Sequence, residues 1–157
     1  MTFKKNEISV TELFKTYSHD ILCYSASILK SKDDAKDALQ EVFVRYINSQ
    51  KNFKGNCSYK TWLLIITRNY CFTQISQRKL QAENFENNSL NYNHDFELNI
   101  SLKDGIDKLT DEENELLYLK EYAGYSYKEI SEILGININT AKTKLFNIRK
   151  QLKEYLK

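Results

Sequence analysis

The chain has 157 residues, of which 41% are hydrophobic and 28% charged, so it can form one ordinary domain or two small ones and is not expected to be disordered. Proline is absent and glycine occurs only four times, so long helices meet few breakers and an all-α protein is predicted. The net charge of +2 indicates no particular partner, and neither a membrane-span run nor a signal-peptide layout is present, so we expect a cytoplasmic protein.

Two helices are predicted within the first fifty residues. The first runs from about Ser9 to Leu29, with Ser9 and Glu12 forming a capping box, and the second opens with a similar box at Ser31 and Asp34. Apolar residues recur in both at steps of three and four, which is typical of an amphipathic helix. The predicted core positions are Val10, Phe14, Tyr17, Ile21, Tyr24 and Ile28 in the first helix, and Ala35, Ala38, Leu39, Val42, Phe43 and Tyr46 in the second.

A polar break at residues 48–58 precedes a third predicted helix, which runs from near Tyr59 to about Leu80. Its tryptophan, Trp62, is expected to anchor the core, because so large an apolar side chain seldom stays exposed. The three helices make an N-terminal domain, residues 1–80.

Residues 81–100 lose the helical periodicity and become rich in asparagine and acidic residues, which predicts a flexible acidic linker. A C-terminal domain, residues 101–157, follows it. That domain is predicted to open with a short helix ending at Lys108. A second helix follows, capped by Thr110 and Glu113 and running through Tyr122.

The segment 126–145 (SYKEISEILGININTAKTKL) predicts a helix-turn-helix. Ser126 and Glu129 form a capping box, Gly135 ends the short helix in a left-handed turn, and the last helix starts near Asn137. That helix buries Ala141, Leu145, Ile148, Leu152 and Tyr155 on one face. An ordinary helical hairpin is the alternative, but it would not need a basic, acid-free second helix with polar residues where a recognition helix reaches DNA.

Charge is distributed unevenly along the chain. Residues 60–80 and 135–157 are basic, whereas residues 81–100 carry four acids and no base, and residues 101–134 carry nine acids against four lysines. Two basic segments separated by acidic ones fit two phosphate-facing surfaces, but two solvated helix faces would show the same pattern.

Three segments, taken together and in this order, resemble bacterial sigma factors, in particular the extracytoplasmic-function group. Residues 34–43 (DAKDALQEVF) resemble the region-two helix that docks on the clamp of RNA polymerase. Residues 53–63 (FKGNCSYKTWL), continuing to Arg68 and Asn69, resemble the loop and helix that read the −10 promoter element. The segment 126–145 resembles region four, and the short interval between the domains leaves no room for the region three of primary sigma factors.

The resemblance implies three contact surfaces and the residues in each. Core RNA polymerase would contact Asp34, Asp37, Gln40, Glu41 and Arg45. The −10 element would contact Asn56, Cys57, Ser58, Tyr59, Lys60, Arg68 and Asn69, with the loop 56–60 receiving a flipped base. The −35 element would contact Asn139, Thr140, Lys142, Thr143, Lys144, Asn147 and Arg149. Assistance in promoter melting is implied as well.

The family pattern is not followed everywhere. Lys36 replaces an acid that faces the clamp in many members, Ala141 stands where valine is usual, and the recognition helix is rich in lysine rather than arginine. Because lysine copies the bidentate guanine contacts of arginine poorly, the preferred promoter cannot be carried over from other members.

Neither catalysis nor a cofactor is expected. The cysteines Cys23, Cys57 and Cys71 form no metal-binding spacing, and His19 and His94 have no evident partners, so we predict no metal site, no small-molecule substrate and no enzyme. An anti-sigma factor is a partner that the family often has. The alternatives are a stand-alone helix-turn-helix regulator, which would not need the loop 53–62, and a nucleic-acid enzyme, which no residue supports.

Overall fold

The computed structural model describes residues 8–82 and 100–156, and within these it contains seven α-helices and no strand. The all-α prediction is confirmed. The chain divides into two compact units, of which the first ends at Gln77 and the second begins at Arg78. Most of the predicted linker, residues 83–99, lies outside the described residues, as does His94, and the predicted domain limits stay predictions.

The first two helices begin where their capping serines predict. α1 spans Val10–Leu29 and α2 spans Lys32–Ser49. The Ser9 hydroxyl accepts a hydrogen bond from the Glu12 backbone N–H at 3.2 Å, and the Ser31 hydroxyl accepts one from Asp34 at 3.1 Å. Each bond satisfies an N–H group that the first helical turn leaves without a partner.

The core of the first unit forms where α1 and α2 pack together with the start of the third helix. All six core positions predicted for α2 are buried. On α1 the prediction was wrong for Phe14, whose side chain is 43% exposed, whereas its neighbour Leu13 is 1% exposed. Phe14 instead packs its ring against the edge of the Phe43 ring, with 5.1 Å between centroids. The buried cluster contains Leu13, Ile21, Leu39, Val42, Phe43, Tyr46 and Leu63.

The break after α2 is shorter than predicted, because a 3₁₀ turn, Gln50–Asn52, continues the helical backbone. α3 then spans Tyr59–Ala82. Trp62 is half-buried and packs against the core cluster, as predicted. The periodicity did not reveal that Thr67 is buried, where its hydroxyl donates to the Leu63 carbonyl at 2.6 Å.

Among its described residues, the second unit contains four complete α-helices. A complete capping box is present at Thr110 and Glu113. The helix that they cap was predicted to run to Tyr122, but its last turn, Tyr118–Tyr122, is a π-helix, in which the Ala123 N–H donates to the Tyr118 carbonyl. The α-helices are α4 (Ile100–Asp107), α5 (Asp111–Leu117), α6 (Tyr127–Leu134) and α7 (Ile138–Lys153).

The long helix α7 buries the face that its apolar stripe predicts, and Tyr155, in the 3₁₀ turn Glu154–Leu156 that follows, is half-buried. Gly105 in α4 allows the Tyr155 ring to come close. A Cβ atom at position 105 would lie 2.8 Å from the ring atom Cδ2.

Candidate functional site

The turn between α6 and α7 is built from three local devices. The Glu129 N–H donates to the Ser126 hydroxyl at 3.1 Å and the Ser126 N–H donates to the Glu129 carboxylate at 3.2 Å, so the start of α6 is fixed. Gly135 ends α6 at a φ of 65°, a conformation that costs glycine little. The Asn137 side chain then accepts from the Asn139 N–H at 2.8 Å and starts α7. The predicted helix-turn-helix is therefore present.

The outer face of α7 is polar, basic and free of acids. Ala141, Leu145, Ile148 and Leu152 are buried on the opposite face. All seven side chains predicted to contact the −35 element are exposed: Asn139, Thr140, Lys142, Thr143, Lys144, Asn147 and Arg149. The geometry thus brings the candidate residues to solvent along one continuous helix.

One residue on this face was not predicted. Phe146 is 66% exposed, and it lies one turn after Thr143 and one turn before Lys150. The sequence did hold the signal, because position 146 falls outside the apolar stripe at 141, 145, 148 and 152. A phenyl ring in the middle of a recognition face can make apolar contact with a thymine methyl group.

Two of the exposed side chains are already engaged within the protein. The Thr143 hydroxyl donates to the Asn139 carbonyl at 2.9 Å. Arg149 donates from Nε to the Glu121 carboxylate at 2.7 Å, and its Nη2 contacts the same oxygen. The hydrogen bond that Arg149 donates to Glu121 raises the pKa of the Arg149 guanidinium above its ordinary value, against the smaller opposing effect of burial.

The side chain of Tyr127, the first residue of α6, lies among several cations. The Lys120 ammonium is 4.3 Å from the centroid of the Tyr127 ring, and the Lys142 ammonium is 5.4 Å from it. Lys120 also donates to the Tyr125 carbonyl at 3.3 Å. Residues from the π-helical turn, α6 and α7 thus meet at one ring, which sequence periodicity did not reveal.

In the first unit, the candidate −10 residues fall on the loop before α3 and on α3 itself. Asn56 and Ser58 are exposed, and Cys57, Tyr59 and Lys60 are half-buried. The Ser58 hydroxyl accepts from the Thr61 N–H at 3.1 Å and so caps α3.

Further along α3, the two remaining −10 candidates differ in exposure. Asn69 is exposed, whereas Arg68 is half-buried and lies over the Phe72 ring at 4.8 Å.

Aromatic rings line a cavity beside this loop. Phe53 stacks on Tyr59 at 4.8 Å and on Trp62 at 4.6 Å between centroids. The cavity, of about 520 Å³, is lined by Phe53 and Tyr59 together with Tyr46, Gln50 and others. Flat aromatic walls with an amide and an ammonium nearby are suited to a nucleobase.

The candidate polymerase-binding residues lie on the outer face of α2. Asp37, Gln40 and Arg45 are exposed, and Asp34 and Glu41 are half-buried. Arg45 forms an ion pair with Glu41 at 3.1 Å.

The Arg45 guanidinium also lies 5.2 Å from the centroid of the Tyr70 ring on α3. Burial raises the pKa of the Tyr70 hydroxyl above its ordinary value, and the charges of Glu41 and Asp37 raise it further.

Two apolar residues of the α2 face were not predicted as site residues. Val44 is 51% exposed and Ile47 is 47% exposed, and both lie among polar neighbours on the outer face. An apolar centre within a polar surround is typical of protein–protein interfaces.

No group of three or more metal-ligating side chains occurs in the described part of the chain. His19, which was expected to have no partner, contacts the Cys23 sulfur through Nε2 at 3.5 Å. Burial raises the pKa of the Cys23 thiol, and the charge of Asp20 adds to the effect. Within residues 8–82 and 100–156, no helix is long and apolar enough to cross a bilayer.

Comparison with known proteins gives two family matches. Residues 13–81 match Sigma-70 region 2, and residues 100–152 match Sigma-70, region 4, so the two regions of one family account for well over half of the chain.

Relatives and solved structures agree with these matches. RNA polymerase sigma factor YlaC of Bacillus subtilis is 29% identical over 96% of this chain and 93% of its own length. The ECF RNA polymerase sigma factor SigM of the same organism is 29% identical over 93% of this chain and 94% of its own. The sigma factor RpoE of Bartonella quintana, solved with the anti-sigma factor NepR, has a TM-score of 0.74 at 22% identity, over 93% of this chain and 95% of that one, which shows the same fold.

Proposed function

This chain belongs to the sigma-70 family and is a promoter-recognising transcription initiation factor, and we propose that it acts as a two-region sigma factor of the extracytoplasmic-function kind. It binds core RNA polymerase, contacts the −10 and −35 elements and assists melting of the promoter. The observation that carries the proposal is the presence of both regions in one chain, one exposing an acid-free recognition helix and the other an aromatic cavity beside a polar loop.

The −35 element is read by α7 lying in the major groove. Lys142 and Lys144 lie in its first two turns and extend toward phosphates or base edges, while Asn139, Thr140, Thr143 and Asn147 offer amide and hydroxyl groups. Arg149 was assigned to this surface by the sequence, but its guanidinium is held by Glu121.

The −10 element is read by the loop 56–60 and by α3. Extruding a base costs a few kcal/mol of stacking energy. The aromatic cavity beside the loop replaces that stacking, with Phe53 and Tyr59 as the rings in reach. The Asn56 and Lys60 side chains provide polar contacts, whereas the Ser58 hydroxyl is engaged in capping α3. Arg68 and Asn69 follow the strand along the helix.

The outer face of α2 binds the polymerase clamp. Asp34, Asp37, Gln40, Glu41 and Arg45 provide the polar contacts. Val44 and Ile47 supply the apolar centre that such an interface needs, because apolar burial contributes most of the affinity. The Arg45–Glu41 pair orients both side chains before the partner arrives.

The remaining attributes follow from the same role. The protein acts in the cytoplasm, catalyses no reaction of its own and needs no cofactor. An anti-sigma factor is a further partner, because the structural neighbours RpoE and CnrH were solved bound to NepR and to the cytosolic domain of CnrY.

Run-off transcription tests the proposal. Purified protein and core polymerase are assayed on promoters selected from a random-sequence pool, in duplex form and with the −10 segment already melted. Transcription that requires this protein, and a shared −10 and −35 pair among the selected sequences, are the expected results. The double variant K142M/K144M should lose initiation, whereas Lys103→Met on α4 should retain it. Tight duplex binding without core polymerase, together with no transcription on either template, would instead identify a stand-alone regulator.

A further inference from the structure

Arg149 lies on the outer face of α7 but is directed back into the protein. Two of its nitrogens contact one oxygen of Glu121, which belongs to the π-helical turn Tyr118–Tyr122, 28 residues earlier in the chain. The two side chains are 47% and 48% exposed, so solvent reaches the pair without separating it. Because the contact joins the third turn of α7 to the segment that precedes α6, it fixes the recognition helix at a point far from the turn at Gly135.

The same neighbourhood holds Lys142, the basic residue that begins the recognition face. Lys142 lies two helical turns before Arg149, and its ammonium lies over the Tyr127 ring. Tyr127 also contributes, less than Glu121, to the raised pKa of the Arg149 guanidinium. Arg149, Tyr127 and Lys142 therefore form a connected set, anchored by Glu121, that spans the π-helical turn and both helices of the helix-turn-helix.

A phosphate contact by Arg149 would conflict with this arrangement. N–H groups of the guanidinium that are not used on Glu121 could reach a phosphate, but that contact would bring the DNA backbone close to the Glu121 carboxylate, whose charge is also negative. In the observed arrangement Glu121 and Arg149 neutralise each other, so the pair adds little to the field that attracts DNA. Lys142, Lys144 and Lys150 keep their charge on the exposed face.

We infer that Arg149 is a positioning residue for promoter reading by α7, held by Glu121 and Tyr127, and that it makes no phosphate contact. The inference rests on the proposed function and differs from the role that the resemblance implied for Arg149. Its consequence is that loss of Arg149 changes which sequences are preferred more than how strongly DNA is attracted.

The experiment separates positioning from phosphate contact. Holoenzyme assembled from the full chain and core polymerase is titrated with a selected duplex and with a duplex of scrambled −35 sequence, over a range of salt concentrations. E121Q/R149M, which removes the ion pair without changing the net charge, should weaken binding to the selected duplex by about three- to tenfold, leave the scrambled duplex almost unaffected, and leave the salt dependence unchanged. A phosphate ligand would behave otherwise, since its loss weakens both duplexes alike and lowers the slope of log K against log salt by about one. That result would overturn the inference.

Four further variants sharpen the test. Glu121→Gln should reduce preference for the selected duplex as Arg149→Met does, and E121Q/R149M should be no worse than either single variant, because both remove one contact. Glu132→Gln, which removes an exposed acid from α6, is the control for charge alone. Arg149→Lys keeps the charge but lacks the guanidinium fork, so it should not restore the preference. Full rescue by lysine, or tighter binding of E121Q than of E132Q, would contradict the inference.

Failure of the proposed function gives a different result. In that case the wild-type holoenzyme would not distinguish the selected from the scrambled duplex, which removes the premise as well as the inference. A thermal unfolding curve for each variant shows whether lost preference comes with lost structure. If R149M is the variant that unfolds, E121Q, which retains the arginine, still tests the inference.

Discussion

α2 and α7 each bury one face and expose the other, but the exposed faces differ in charge. The α2 face holds acids, with Glu41 paired to Arg45, and has Val44 near its centre. The α7 face contains no acid and has Phe146 near its centre. An exposed apolar side chain among acids suits a protein partner, whereas one among lysines suits DNA, whose phosphates attract the cations while base methyl groups meet the ring. This difference in charge is the basis for proposing a different class of partner for each face.

The largest expected effect is on stability, and it comes from removing a buried side chain that supports α7. Leu145 is fully buried on the inner side of α7. Leu145→Ala should destabilise the second unit by about 2–5 kcal/mol, because it deletes buried methyl groups and leaves a cavity. Chemical denaturation followed by circular dichroism measures the loss. Gln151→Ala, an exposed change on the same helix, is the control, and equal stability of the two variants would contradict the burial.

Sequence pattern predicted the buried face of α2 correctly but that of α1 only in part. In α2 the stripe was read in the register that the structure buries, and all six predicted positions are buried, although the neighbouring Val44 and Ile47 are apolar and exposed. In α1 two adjacent apolar residues, Leu13 and Phe14, offered two registers, and the prediction took Phe14. The structure buries Leu13, the smaller side chain, and leaves the Phe14 ring at the edge of Phe43.

Contacts between distant segments could not be predicted. The Arg149–Glu121 pair and the Lys120–Tyr127 contact depend on the π-helical turn, which inserts one residue into a helical turn without altering the apolar pattern enough to be read. The assignment of Arg149 to DNA therefore followed from the resemblance to sigma factors, with no information on the carboxylate that holds the side chain.

A charge placed at the centre of the α2 face is expected to weaken the proposed binding of core polymerase. Val44→Asp should weaken binding to core polymerase by about 2 kcal/mol, or roughly 30-fold, because the carboxylate must lose water in an interface that had an apolar centre. Its stability should hardly change, since the Val44 side chain is already half exposed. Fluorescence titration with core polymerase measures the affinity. Leu80→Asp, at another exposed apolar residue near the end of α3, is the control. An equal loss of affinity there would contradict the role proposed for the α2 face.

Two substitutions on α7 distinguish electrostatic attraction of the DNA backbone from recognition of the bases. Lys144→Met should weaken binding to selected and scrambled duplexes alike, by about 1 kcal/mol, and reduce the salt slope by about 0.9 if Lys144 contacts one phosphate. Phe146→Ala should weaken only the selected duplex, by about 1–2 kcal/mol, with the salt slope unchanged. Titrations of the holoenzyme at several salt concentrations distinguish them. A uniform loss on removing Phe146 would mean that the ring is not used to read bases.

The smallest effect is expected at the turn that sets where α7 begins. Gly135 has a φ of 65°, and no heavy atom lies within 4 Å of the position that a Cβ would take. The cost of Gly135→Ala is therefore backbone strain alone, about 1 kcal/mol, and it should appear in thermal unfolding. Gly135→Asn should cost less, because asparagine tolerates the left-handed region better than alanine. Suppose that both variants bind DNA as the wild type does, and that Gly135→Ala is no less stable than Gly135→Asn. The turn would then not need glycine. The entry to α7 would then depend on the Asn137 cap, as the entry to α2 depends on Ser31.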